Sequence, residues 1–121
     1  MKILLADDER SIQHLLSRRL QACGYEVITA SNGEEALEKA RCEHPDLILM
    51  DVMMPKKTGN EVAAALREGK DTAHIPIIFL TCLLNNGEAK RMNYYSGQSR
   101  IMGKPINPND LIRLIEETRH N

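Results

Sequence analysis

The chain has 121 residues, 42% hydrophobic and 27% charged, with a formal net charge of −1. That is one ordinary globular domain, expected over residues 1–121, with enough apolar material for a core and no charge excess pointing to nucleic acid or an anionic membrane. Three scattered cysteines, four histidines without metal-ligand spacing, and apolar runs of only about five residues argue against a disulfide framework, a zinc site and a membrane span. With the first strand starting at Lys2, a cytoplasmic location without a targeting segment is expected.

Short apolar runs alternate with helical patterns. Lys2–Ala6 reads as the first strand, and the helix after it carries Ile12, Leu15, Leu16 and Leu20 on one stripe and stops at Gly24. Glu26–Ala30 is the second strand. A helix then starts near Asn32, buries Ala36, Leu37 and Ala40, and ends before Pro45. Asp46–Met50 is the third strand. Thr58-Gly59-Asn60-Glu61 spells a capping box, opening a helix that buries Val62, Ala65 and Leu66. Ile75–Leu80 is the fourth strand, followed by a weakly signalled fourth helix between Asn85 and Gly97. Arg100–Met102 is a weak fifth strand. Asn107 caps the last helix, with Pro108 at its first position and Leu111, Ile112, Leu114 and Ile115 facing inward.

Runs apolar on both faces, each followed by a helix, imply an α/β fold: a (βα)5 doubly wound parallel five-stranded sheet of order 2-1-3-4-5, flavodoxin-like in topology. In such a sheet every strand delivers its carboxyl end to one edge, where ligands bind. The first strand ends there in Asp7-Asp8, the third in Asp51, the fourth in Thr81, and the fifth leads to Lys104-Pro105. Three carboxylates at one edge repel. A divalent cation and Lys104 would offset that repulsion, and an oxygen-only ligand set with room for water and phosphate favours Mg²⁺. An ionised Asp51 is a nucleophile that needs no general base, while Mg²⁺, Lys104 and the Thr81 hydroxyl would stabilise a phosphoryl group in transfer. Asp8 is also placed to cap the first helix.

The ordered set Asp7-Asp8, Asp51-Val52-Met53-Met54-Pro55, Thr81 and Lys104-Pro105 resembles the response-regulator receiver family along essentially the whole chain. The resemblance implies that Asp51 accepts phosphate from the phosphohistidine of a sensor histidine kinase. It implies that Asp8, Asp51 and the Met53 backbone carbonyl hold Mg²⁺, with Asp7 acting through water. Lys104 would pair with the phosphoryl oxygens, Thr81 would bond one of them, and the Lys104-Pro105 peptide bond would be cis. The partners so implied are that kinase and a downstream effector domain or protein, without membrane or direct nucleic-acid contact. The chain would be no enzyme beyond self-catalysed phosphotransfer and slow autodephosphorylation.

Some positions depart from the family pattern. Ile101 stands where the family carries Tyr or Phe, which puts the usual Thr–aromatic coupling in question, and Arg100 stands where many relatives carry Asp. Met53 and Leu83 flank the expected mouth of the site; neither can orient an attacking water, so a long-lived aspartyl phosphate is expected. Ser11, Ile12, Leu15, Pro105 and Ile106 form an apolar patch where the family docks its kinase. Cys82 is expected to be a small buried thiol, Met50, Met53 and Met54 core and site wall, and Tyr94-Tyr95 half-buried packing.

Other functions fit less well. An aspartate-nucleophile phosphohydrolase places a second Asp where this chain has Met53. A flavin carrier needs a Ser/Thr/Gly-rich first loop to cradle phosphate, and Asp7-Asp8-Glu9 would repel one. The alternative to a phosphorylation switch is an unphosphorylated pseudo-receiver scaffold. The chain closes at Thr118-Arg119-His120-Asn121, which fits both a stand-alone regulator and a piece of a longer protein.

Overall fold

A computed structural model describes residues 1–81, 99–103 and 106–119. Five strands, β1 (Lys2–Ala6), β2 (Glu26–Ala30), β3 (Leu47–Asp51), β4 (Ile77–Thr81) and β5 (Ser99–Gly103), form one parallel sheet in the expected order β2-β1-β3-β4-β5. The helices among the described residues are α1 (Arg10–Ala22), α2 (Gly33–Glu43), α3 (Gly59–Glu68) and α4 (Pro108–Arg119). The expected helix between Asn85 and Gly97, with Cys82, Leu83 and Tyr94-Tyr95, lies outside the described residues, as do Lys104 and Pro105 with their expected cis bond.

Side-chain alternation along the strands divides the core into two layers. Leu4, Ala6, Ile48, Met50, Ile77 and Phe79 pack with Ala36, Ala40, Val62 and Leu66 of α2 and α3. Ile3, Leu5, Leu47, Leu49, Ile78 and Leu80 pack with Leu16, Leu20, Leu111 and Ile115 of α1 and α4. β1 and β3, covered on both faces, are buried almost throughout. β2, at an edge, is mostly half-exposed. Tyr25 binds the edge to the last helix by donating its hydroxyl to the Glu116 carboxylate, and Arg19 donates to Asn109 Oδ1 at 2.8 Å.

The helix signals act through their expected atoms. Asn32 Oδ1 accepts the Glu35 amide at 2.9 Å. Thr58 and Glu61 form both bonds of the capping box, at 3.1 and 3.2 Å. Asn107 Oδ1 accepts the Asn109 and Asp110 amides at 2.9 and 3.3 Å. Gly24 takes a φ of 91° just beyond α1.

Five expectations are corrected. Glu9, not Asp8, occupies the N-cap of α1, and it makes no side-chain capping bond, so α1 starts uncapped. Leu15 is 53% exposed: the sheet covers the stripe through Leu16 and Leu20, and Leu15 lies one residue, about 100°, away from it. Ala65 of α3 is only half-buried. β4 begins at Ile77 rather than Ile75, because the Ala73 and Ile75 carbonyls are taken by Arg67 Nη1 at 2.7 and 2.9 Å and Pro76 has no amide to donate. β3 runs one residue past Met50 and so takes in Asp51. No helix among the described residues is long and apolar enough to cross a membrane.

Candidate functional site: an acidic cluster at the carboxyl edge of the sheet

The register of β1 against β3 sets Ala6 opposite Met50. The next residues, Asp7 and Asp51, therefore arrive level at the carboxyl edge, and Asp8 follows where the chain turns toward α1. Each of the three offers a carboxylate oxygen, and these oxygens lie within 4.8 Å of one another. Asp7 and Asp51 are 1% and 5% exposed, while Asp8 is open to solvent. At an effective dielectric near 20, two full charges 4.8 Å apart repel by about 3.5 kcal/mol. The donor set is oxygen-only and anionic, with one solvent-facing member, which suits a hard divalent cation that keeps part of its water shell.

The carboxylates are held by backbone. Asp7 Oδ1 accepts the Glu9 amide at 2.9 Å, and Asp51 Oδ1 accepts the Met53 amide at 3.3 Å. The Asp7 amide donates to the Ala30 carbonyl at 3.0 Å, and Gln13 Nε2 donates to the Asp7 and Ala30 carbonyls at 3.2 and 3.0 Å, joining β1, β2 and α1 behind the cluster. Beyond Asp51, the Val52 amide bonds the Leu80 carbonyl at 3.1 Å and the Val52 carbonyl accepts the Gly59 amide at 2.8 Å. A Cβ on Gly59 would stand 2.6 Å from the Asp51 carbonyl oxygen, so α3 starts directly against the Asp51 backbone.

Of the residues expected at the site, the structure brings Asp7, Asp8 and Asp51 together, with Met53 two residues beyond Asp51. Met53 is 54% exposed, whereas Met50 and Met54 are core. Thr81 closes β4, the strand beside β3, opposite Gly103; its side chain and all of Lys104 lie outside the described residues. Ile101 pairs with Phe79 and packs against the α2–α3 layer of the core. Gln13 and Gly59 are supports that sequence reading passed over. In sequence Gln13 has the look of any exposed helix polar residue, and Gly59, directly after the Thr58 cap, is indistinguishable from an ordinary member of the capping box.

A family model described as the response regulator receiver domain matches residues 3–116. The alkaline phosphatase synthesis transcriptional regulatory protein PhoP of Bacillus subtilis is 46% identical over 110 residues, which are 91% of this chain and 45% of PhoP. This chain thus spans about half the length of the curated relatives it matches first. Among solved structures, chemotaxis protein CheY4 of Vibrio cholerae superposes with a TM-score of 0.85 at 37% identity, covering 97% of each chain. The receiver domain of sensor histidine kinase PA1611 of Pseudomonas aeruginosa, with a magnesium ion coordinated in its active-site cleft, superposes with a TM-score of 0.86 at 25% identity, covering 99% of this chain and 98% of that one. With the acidic cluster at the edge where the topology gathers it, and with sequence and fold matched end to end, this chain belongs to the response regulator receiver domain family.

Proposed function

We propose that this domain is a phosphorylation switch whose acceptor is Asp51. The observation that carries the reading is the meeting of Asp7, Asp8 and Asp51 within 4.8 Å at the carboxyl edge, with Asp51 at the very end of its strand. Asp8, Asp51 and the Met53 backbone carbonyl would hold Mg²⁺, with Asp7 acting through water; the coordinated magnesium of the PA1611 receiver supports that choice of ion. When bound, the cation supplies positive charge that offsets the carboxylates and the developing charge of the phosphoryl oxygens. An Asp51 carboxylate oxygen attacks phosphorus, the P–O bond forms, the P–N bond to the donor imidazole breaks, and the imidazole leaves with the electron pair and takes up a proton. Lys104 pairs with the transferred group and the Thr81 hydroxyl bonds one of its oxygens.

The phosphodonor is a sensor histidine kinase and the readout a downstream effector domain or protein, consistent with the regulators among its relatives. Leu15, exposed on α1 one turn from half-buried Ile12, offers that kinase an apolar patch. The chain is a cytoplasmic substrate of its own slow chemistry rather than an enzyme on outside molecules, since Met53 stands where a hydrolase would need a general acid. The exposed Met53 thioether cannot orient water, which favours a long-lived phosphate. The alternative, an unphosphorylated scaffold, finds no support in the relatives.

Incubation with acetyl phosphate and Mg²⁺, followed by intact-protein mass spectrometry, tests this. The chain should gain one phosphoryl group that hydroxylamine removes, and Asp51→Asn should gain none. Labelling that survives in Asp51→Asn, or none in the parent, would overturn the proposal.

A further inference from the structure

We infer that Gly33, the first residue of α2, is a positioning residue for the loop that presents the Met53 carbonyl, and so sets how tightly the domain holds a divalent cation. This rests on the metal reading above.

Gly33 is buried against the loop joining β3 to α3. Its amide donates to the Pro55 carbonyl at 3.2 Å, and the Lys57 amide donates to the same oxygen at 2.8 Å. A Cβ on Gly33 would lie 2.1 Å from the Lys57 carbonyl oxygen, 2.7 Å from its carbonyl carbon and 2.5 Å from its Cβ. Two of these three atoms are backbone and cannot swing aside, so the loop would have to retreat by about 0.9 Å to reach even a 3.0 Å contact. Lys56, between the two contact points, holds a φ of 72°, a left-handed conformation uncommon for a residue with a side chain, so the loop has little slack. Glu34, next to Gly33, places its carboxylate 4.0 Å from the Lys56 ammonium.

The two ends of the loop are tied to each other, by the Gly59 amide on the Val52 carbonyl, so a displacement at Lys57 has to be taken up between them. A retreat at Lys57 therefore passes back through Pro55 toward Met53. Mg²⁺ demands near-ideal octahedral geometry, so displacing one carbonyl by a fraction of an ångström costs affinity. Loss of a support behind a ligand commonly costs about 10–100-fold.

Calorimetric titration with Mg²⁺ tests the inference. The parent chain should bind, and Gly33→Ala should bind about tenfold or more weakly while keeping its far-UV circular dichroism and a cooperative melt. Ile115→Val, in the other core layer, should lower stability and leave affinity unchanged. Equal affinity of the parent and Gly33→Ala overturns this inference alone, while failure of the parent to bind Mg²⁺ overturns the metal reading too. Should Gly33→Ala not fold, hydrogen exchange on the parent decides. Mg²⁺ should raise protection of the Gly33 amide more than that of the Gly69 amide, which is bonded to Leu66 in a distant turn. Equal change at both overturns the inference.

Discussion

Asp8→Asn in metal-free buffer is the sharpest probe of the acidic cluster. Asp8 repels two partners, Asp7 and Asp51, each with an oxygen no farther than 4.8 Å away. Because Asp8 is exposed, the watery limit governs: at a dielectric near 80 each pair costs about 0.9 kcal/mol at 4.8 Å, against about 3.5 kcal/mol at 20. Two pairs near the lower limit make Asp8→Asn about 1–2 kcal/mol more stable than the parent in EDTA at low ionic strength. For a domain of this size that raises the melting temperature by roughly 3–10 °C. Saturating Mg²⁺ should erase the difference. A ligand at about 100 times its dissociation constant adds about 2.7 kcal/mol to the parent, and less to a variant without one of the carboxylates proposed to hold it. Urea titrations with EDTA and with Mg²⁺ read both effects. A variant no more stable than the parent in EDTA, or a gain that persists unchanged in Mg²⁺, would refute the electrostatic account.

Three more outcomes follow from the local structure. Thr58→Ala removes the oxygen that accepts the Glu61 amide and should cost about 1 kcal/mol in urea denaturation, whereas Thr58→Ser should restore most of it. The Glu35 carboxyl is held below its ordinary 4.5, first by its hydrogen bond with Lys39, against partial burial, with the Ser31 amide adding to the shift. A depressed folded-state value means that this stabilisation is present above about pH 4.5 and lost as the pH falls through the lowered value. Because Glu35 is only half-buried and the pair is screened by solvent, Glu35→Gln should lose only about 0.3–0.5 kcal/mol near neutral pH and nothing in strong acid, read from urea midpoints across pH. Ile12→Asp should slow phosphotransfer from a cognate kinase and spare labelling by acetyl phosphate; equal loss with both donors would count against a docking role for α1.

The sheet order, the strands and three helix starts were legible because each rests on local chemistry. Asn32, Thr58 and Asn107 each cap the helix that follows, and apolar runs mark strands wherever both faces are covered. The acidic cluster was legible because a parallel sheet sends every strand's last residue to one edge, so Asp7 and Asp51 had to meet. What stayed hidden depends on partners distant in sequence. Leu15 and Leu16 are both good core residues, and only the placement of α1 on the sheet decides which is covered. The two-residue slip at the start of β4 comes from Arg67, a charged residue that in sequence alone is simply solvated. Gly33 and Gly59 matter through backbone contacts with Lys57 and Asp51, and no composition or period announces a close approach between segments.

The split of the core between the two faces of the sheet has a wider consequence. The sheet works as a bulkhead: Ile48 and Leu49 are neighbours in sequence yet belong to separate hydrophobic compartments. A lesion in one compartment has no side-chain route into the other, so substitutions on opposite sides should combine additively, and each side can drift at its own pace. Constraint then collects at the rim, where the compartments end and three acid groups must still converge.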